Sequence, residues 1–405
     1  SAFDENVSNF FMFPTILNIN GQLYITDRAN EVFKDVDKKK KSIELNDIKN
    51  FKFLNDFKTD SHPELIFIYE GFSIVEIDKR YFASNRNIKE INWFDEDLYN
   101  NKEIFYSKTI KGVMSQVDKY HKSLFNKVKP DAVSAFNPTK EHLNVVRYFA
   151  PKGIPIMVEK PMATNYEEAL EMAKISKKFD TPLLINFETS WYESTYEAKT
   201  LLETGSLGLL TKMVFNTGHP GPEEIGCTPE FLDWLTDPIL NGGGALTDFG
   251  CYGANIATWM FNGETPLRIS CVAKQSKPDR YPKVDDDTTI ILDYDKKKVI
   301  IQASWNWSHN RKDMQIYGTK GYVDCQNAKD MVIMKNEAIG EIKHIPKYIS
   351  KARKDPFRLL YELVYDDYEL ETFGLYSVEN NLIVSKILDL AKKSAQTKKV
   401  QNWER

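Results

Sequence analysis

Residues 156–161 read Ile-Met-Val-Glu-Lys-Pro. Apolar residues suited to a buried strand carry a glutamate and a lysine to its carboxyl end. Proline, which has no N–H to give a ladder, then stops the strand. Met162-Ala163-Thr164-Asn165 follows and leads into Tyr-Glu-Glu-Ala-Leu, a helix opening. In open parallel sheets ligands sit just outside the carboxyl ends of the strands. Lys160 therefore points to where chemistry would occur, as a cation able to meet an anionic oxygen. The same tripeptide also suits a Glu–Lys pair that merely caps a strand.

The elements around this stretch form an α/β pattern from Glu64 onward. ELIFIYEG reads as a strand ending at Gly71, residues 72–85 as a helix with Ile74, Ile77 and Phe82 on one face, and IKEINWFDED as a strand ending at Asp95. Val117–Val128 is an amphipathic helix, DAVSAFNP a strand broken by Asn137-Pro138, and Glu141–Phe149 a helix. Ile156–Pro161 belongs to the next strand, Tyr166–Phe179 to a helix and PLLINFE to a strand. Strands alternating with helices imply βαβ units and a parallel sheet.

After Glu188 the texture changes. A helix at 193–203 and a strand at 211–216 precede the Gly/Pro-rich loop HPGPEEIGCTPEF, and Gly242–Gly244 opens a helix running to Met260. LRISCVAKQS, TTIILDY, KVIIQASWNW, KDMQIYG, GYVDC and MVIMKN then follow one another, the mark of an antiparallel sheet. A last helix, 378–395, carries Leu382, Ile383, Ile387, Leu388 and Ala391 on one face. The expected fold class is α/β: an N-terminal Rossmann-like parallel-sheet domain at 63–187, and a C-terminal α+β domain at 188–405 with a large, open, mainly antiparallel sheet. Residues 1–62 form a strand-rich extension, with a hairpin turn at Asn20-Gly21, to which no role is assigned.

Composition narrows the function. The 405 residues are 42% hydrophobic and 28% charged with net charge −4, which gives no electrostatic case for nucleic acid. Four cysteines without CxxC spacing or a paired histidine point to a reducing compartment and to no metal site. No apolar run nears the roughly 18 residues of a membrane span, and the first residues lack a signal-peptide pattern. The expectation is a cytoplasmic protein. Asp285–Asp287 reads as a solvated turn.

The run DAVSAFNPTKEHLNVVRYFAPKGIPIMVEKPMATNYEEALEMA resembles the signature of the glucose–fructose oxidoreductase / inositol dehydrogenase (Gfo/Idh/MocA) family: a strand ending in Asn-Pro, a His, then Glu-Lys-Pro on the next strand. NGGGALTDFGCYGANIATW is similar to the family's second signature, a Gly-rich turn before a helix bearing Asp and, four residues on, His or Tyr. IYGTKGYV and LDLAKKSAQTKKV also match, so the resemblance spans roughly residues 64–400. It implies NAD(P)-dependent hydride transfer on a sugar, polyol or sugar derivative. NAD is the expected cofactor and NADP remains open.

In the dinucleotide fingerprint Tyr69 stands at the first glycine, Gly71 at the second and Ile74 at the third, so only the glycine that lets backbone approach a pyrophosphate is kept. Asp95 lies at about the distance expected of the ribose-binding acid, and its charge would disfavour a 2′-phosphate. The resemblance further implies cofactor contacts at Asn137, Pro138, His142, Glu159 and Lys160.

The positions matched to the family imply a catalytic trio of Lys160, Asp248 and Tyr252. Asp248 and Tyr252 are four apart on a helix, hence on one face, and Gly242–Gly244 lets backbone approach a ligand. Oxidising a carbinol requires removal of the hydroxyl proton as hydride leaves. A phenol titrates at about pH 10, so Tyr252 needs the Lys160 cation to act as a base; Asp248 would hold Lys160 or a sugar hydroxyl. Glu188, Trp191, His219 and Trp305, with Lys160 and Asp248, are candidate sugar contacts. Tyr252 also suits an ordinary core aromatic, and Trp305 a core tryptophan. The open sheet face with its SWNW aromatics points to a homodimer or homotetramer. A second reading is a non-catalytic sugar-binding or scaffold protein that keeps the fold with a degraded cofactor site.

Overall fold

The computed structural model describes residues 130–404 except 336, 347–352 and 367, together with short segments between residues 15 and 116. The chain divides into two units, residues 1–129 and 130–405.

In the first unit, β1 (Thr15–Ile19) and β2 (Gln22–Thr26) pair antiparallel with Ile19 opposite Gln22, the hairpin expected around Asn20-Gly21. A second antiparallel sheet runs in chain order through β3 (Glu64–Tyr69), β4 (Phe72–Ile77), β5 (Arg80–Asn85) and β6 (Ile104–Ser107). The helix expected over 72–85 is thus corrected to two strands. Phe72, Ile74, Val75, Ile77, Tyr81 and Phe82 make the stretch β-branched and aromatic, which suits a pleated surface better than a helix. The correction removes the strand-then-helix setting on which the Gly71 reading rested. Gly71, Asp95, the strand expected to end at Asp95 and the helix expected at 117–128 lie outside the described residues.

The second unit opens with the expected parallel layer. β7 (Val133–Ala135), β8 (Ile156–Glu159) and β9 (Leu183–Asn186) pair in parallel, with Val133 opposite Ile156 and Ile156 opposite Leu183. The connecting helices are α1 (His142–Phe149) and α2 (Tyr166–Lys178). Asn165 starts α2 by accepting the Glu168 N–H at 2.9 Å, as an N-cap asparagine does. Helix α3 (Glu193–Glu203) leads into the large sheet.

Among the described residues that sheet has nine strands in the order β17-β16-β15-β14-β10-β13-β12-β11-β18. They are β10 (Leu210–Gly218), β11 (Arg268–Lys274), β12 (Asp287–Asp293), β13 (Lys298–Ser304), β14 (Arg311–Gly318), β15 (Gly321–Cys325), β16 (Met331–Met334), β17 (Ile342–His344) and β18 (Gln401–Asn402). All pairs are antiparallel except β10 with β13. One face is dry: Ile290, Leu292, Val299, Ile301 and Ala303 are fully buried. Between the first pair, on the opposite face, Ile291 is exposed, and so is Val272 of β11.

Among the described residues five further α-helices follow: α4 (Pro229–Leu235), α5 (Ala245–Asp248), α6 (Gly250–Met260), α7 (Pro356–Tyr365) and α8 (Val378–Thr397). Every residue of α6 is buried, and α8 buries Val384, Ile387, Leu388 and Ala391 beside it. Truncating Ile387 or Leu388 to alanine costs about 2–5 kcal/mol. Helix α7, which sequence reading missed, places Leu359 and Leu360 in a cluster with Met157 and Leu184 of the parallel layer. No helix among the described residues is long and apolar enough to cross a membrane.

Candidate active site

The two sheets of the second unit bring their strand ends together. Lys160 follows β8 and Glu188 follows β9. His219 and Trp305 follow β10 and β13, which are parallel. Because β14 runs antiparallel to β10, with Gly218 opposite Arg311, its first residues, including Lys312, join the same edge.

One expectation is corrected at the centre. The helix read from Gly242–Gly244 to Met260 breaks at Phe249, so Asp248 ends α5 and Tyr252 lies in α6. The Tyr252 N–H turns to the Phe249 carbonyl at 3.2 Å, which leaves the Asp248 carbonyl to accept from Lys160 Nζ at 2.9 Å. The same ammonium donates to Asp248 Oδ1 at 2.5 Å. Asp248 Oδ2 accepts the indole N–H of Trp305 at 3.0 Å. Burial opposes charge on both partners of this ion pair. Even so, the Asp248 carboxylate holds the Lys160 ammonium above its usual value, and Lys160 holds Asp248 below the usual carboxylate range. Both stay charged.

The Lys160 ammonium lies 5.1 Å from the Tyr252 ring centre and 5.5 Å from that of Phe249. Phe187 and Phe249 pack on Tyr252 at centroid distances of 5.6 and 5.9 Å. Burial drives the Tyr252 phenol well above its ordinary value, and Lys160 pulls back only in part. Burial thus keeps the resting Tyr252 a neutral phenol, and the Lys160 cation expected to activate it already faces the Asp248 carboxylate.

Trp305 is fully buried and packs edge-on against Tyr281. It steadies Asp248 and cannot stack on a sugar, which corrects the expected contact. Its own carbonyl accepts from Lys277 Nζ at 2.9 Å. Lys277 also binds Glu224 at 2.6 Å and the Pro220 carbonyl at 2.5 Å, pinning the Gly/Pro loop that carries His219. The His219 ring packs edge-on against Phe249, with Nδ1 accepting the Gly221 N–H at 2.9 Å. Burial pulls its pKa down to about 4, against the opposing pull of Asp248, so the imidazole is neutral with its proton on Nε2.

Glu188 pairs with Lys312 at 2.6 Å and accepts the Tyr192 hydroxyl at 2.5 Å. Lys312 lies 5.6 Å from the Tyr252 ring centre; sequence reading missed it, though a lysine opening a strand after SWNW was there to be noticed. Trp191, expected to contact a sugar, is tied into the parallel layer. Its indole donates to Asn186 at 2.9 Å, its ring stacks on Tyr376, and Asn186 in turn bonds Glu159. Burial raises the Glu159 carboxyl despite that hydrogen bond and nearby Lys160.

On the β7 side, His142 is buried, its Nδ1 donating to the Met162 carbonyl at 3.2 Å, while burial lowers its pKa. Among the described residues, its Nε2 and the Asn137 Oδ1 are buried acceptors with no hydrogen-bond partner. Buried acceptors are rarely left unmade. These two, next to Pro138 and the Lys160-Pro161 turn, fit a ligand that brings N–H or O–H donors, as a nicotinamide carboxamide or ribose does.

Two further corrections concern the turns around the site. Asp286 is buried and accepts the Ser276 and Lys277 N–H groups at 2.8 and 2.6 Å. Asp285 accepts from Gly244 and Leu246 at 3.2 and 2.7 Å. These carboxylates are no solvated turn: they supply acceptors to N–H groups that α5 and its neighbouring loop leave unpaired. The glycine run approaches protein rather than ligand, since a Cβ on Gly242 or Gly244 would lie 2.5 Å from Thr164 O or 1.9 Å from Asp285 O. Among the described residues no group of three or more His, Cys, Asp or Glu is arranged to hold a metal. The four cysteines are free thiols.

A parallel α/β layer whose strand-end lysine meets a buried aspartate beside aromatic rings, packed with a helix-covered sheet, defines an α/β protein with a buried charged pair at its strand ends. Residues 73–187 match the family model described as an oxidoreductase family with an NAD-binding Rossmann fold, and residues 195–324 match the GFO/IDH/MocA C-terminal domain. Together they span more than half of the chain, which belongs to the GFO/IDH/MocA oxidoreductase family.

Among curated relatives, the chain is 29% identical over 191 residues to trans-1,2-dihydrobenzene-1,2-diol dehydrogenase of Xenopus laevis, covering 47% of this chain and 53% of the relative. It is 24% identical over 198 residues to a D-xylose 1-dehydrogenase [NADP(+)] of Haloarcula marismortui, covering 49% and 54%. The chain thus spans little more than half the length of these relatives. In fold it is similar to an aldose–aldose oxidoreductase from Caulobacter crescentus (TM-score 0.59, 20% identity, 70% and 83% of the two chains) and to an inositol dehydrogenase homologue from Azotobacter vinelandii complexed with NAD+ (TM-score 0.59, 16% identity, 70% and 82%).

Proposed function

We propose that the protein is an NAD(P)-dependent oxidoreductase that transfers hydride to or from a hydroxyl carbon of a sugar, polyol or sugar derivative. Residues 63–187 form its dinucleotide-binding part and 188–405 its substrate-binding part. The observation that carries this reading is the double contact of Lys160 with Asp248 beneath the Tyr252 ring.

An ammonium has three N–H donors. Two are spent on Asp248, and the third is available to a substrate oxygen. Lys160 is held charged and steadies a developing alkoxide. Tyr252, held neutral, supplies a second donor to the same oxygen. In the reducing direction the carbonyl carbon gains hydride and Tyr252 gives its proton to the oxygen, leaving a phenolate beside Lys160; oxidation retraces these steps. Asp248 is a positioning residue that keeps Lys160 in place. When bound, NAD(P) supplies the hydride or accepts it. Asn137, Pro138, His142, Glu159 and Lys160 would hold its nicotinamide end.

The antiparallel pairing of β3 with β4 favours a second reading, a sugar-binding relative that keeps the fold without a productive cofactor site. Titration with NADH and NADPH, followed by nicotinamide and tryptophan fluorescence, separates the two. Saturable binding supports the oxidoreductase, whereas its absence in a folded, cofactor-free sample transfers the assignment to the sugar-binding reading. The exposed apolar residues Val272 and Ile291 on the open sheet face support self-association.

A further inference from the structure

Two ion pairs lie close to the Tyr252 ring. They are Lys160 with Asp248 and Lys312 with Glu188, the two ammonium nitrogens 5.1 and 5.6 Å from the ring centre. We infer that the Lys312–Glu188 pair is a specificity device: it reads adjacent hydroxyls of a neutral sugar or polyol and excludes sugars that carry a carboxylate or phosphate. The inference rests on the proposed oxidoreductase reading for where the ligand sits.

The argument is charge matching. Each lysine at the ring already faces its own carboxylate, and His219, with Nδ1 accepting from Gly221, is a neutral donor. An anionic ligand would therefore meet no uncompensated cation among these residues. It would also meet Glu188, whose side chain is 51% exposed against 21% for Lys312. A hydroxyl pair is different, because each hydroxyl both donates and accepts. One can donate to the Glu188 carboxylate while its neighbour accepts from the spare N–H groups of Lys312. Tyr192, donating to the other Glu188 oxygen at 2.5 Å, fixes the carboxylate for that contact.

The test uses the full chain and three probes of matched ring: glucose, glucuronate and glucose 6-phosphate. Each is titrated calorimetrically at fixed ionic strength, with and without NADH. The parent is expected to bind glucose at least about tenfold more tightly than either anion, the scale of one charged contact. Glu188→Gln frees the Lys312 charge, so it should lose about tenfold for glucose and gain for glucuronate, closing or reversing the ratio. Lys312→Met should weaken glucose and reject the anions further. Tyr192→Phe, which keeps both charges, should preserve the preference and stands as the control if Glu188→Gln fails to fold.

A parent that prefers an anion overturns the inference, as does an unchanged ratio in Glu188→Gln or failure of all three probes to bind. NADH binding on the same samples separates the readings. Its loss sinks the oxidoreductase while the sugar ratio still reports on charge matching.

Discussion

Trp305 lies fully buried with its indole N–H 3.0 Å from Asp248 Oδ2, the oxygen that Lys160 does not take. The two carboxylate oxygens thus face two donors on different elements, which sets the plane of the carboxylate and hence the ammonium. Trp305→Phe keeps the ring and deletes the donor. A hydrogen bond to a charged group contributes about 1.5–3 kcal/mol, so urea melts should show a loss of that size. Turnover should fall about tenfold, with cofactor affinity unchanged. Wild-type turnover in Trp305→Phe would remove the indole from the positioning of Lys160.

Lys160→Met should abolish turnover and also weaken the fold. It leaves Asp248 buried and uncompensated, a change that costs about 3–5 kcal/mol. Adding Asp248→Asn should recover most of the melting temperature and none of the activity. Recovery of both would show that the lysine is structural only.

The pH dependence of stability follows from His219 and Asp248. Burial lowers His219 to about 4 from 6.5, so between those values the unfolded chain binds more protons than the folded one. Stability therefore falls as pH drops from about 6.5 towards about 4. Asp248 acts below that window: with its folded value depressed, its contribution is present above the ordinary aspartate value of about 3.9 and is lost as pH falls through the folded one. His219→Gln should flatten the melting-temperature curve between pH 6.5 and 4. An unaltered slope would contradict the buried, neutral imidazole.

At Gly244 an added Cβ would lie 1.9 Å from the Asp285 carbonyl oxygen, a backbone atom that cannot swing aside. Gly244→Ala should therefore displace the start of α5 and lower both stability and turnover, read by thermal melts and initial rates. An alanine variant with parent-like melting would show that Asp285 can retreat at little cost.

Val272 is 63% exposed on the open face of the large sheet. If that face joins two copies, Val272→Glu should shift sedimentation towards the monomer while leaving the melting profile of the monomer unchanged. A parent that sediments as a monomer at micromolar concentration would exclude the interface.

Much of the second unit was legible in the sequence for local reasons. Apolar runs bounded by Asn137-Pro138 and Lys160-Pro161 announced parallel strands. Strand runs following one another from LRISCVAKQS to MVIMKN announced an antiparallel sheet. The spacing in 378–395 announced the face of α8. These signals depend on neighbours a few positions apart, which is why they survive without a structure. The stretch 72–85 failed for the same reason, since i, i+3 spacing and a β-branched run compete locally and the strand pairing decided.

What the sequence by itself determined is the set of residue types at the site: a strand-end lysine, an aspartate and a tyrosine four positions apart, and a histidine in a Gly/Pro loop. What only the tertiary structure decided is their partners and hence their charge states. The break at Phe249 exposes a carbonyl to Lys160, Trp305 turns inward to hold Asp248, and Lys312 comes from a strand 152 positions after Lys160. Charge state depends on burial and on groups brought close through space, and neither is encoded in the spacing of any one stretch. Burial holds the Tyr252 phenol neutral for that reason.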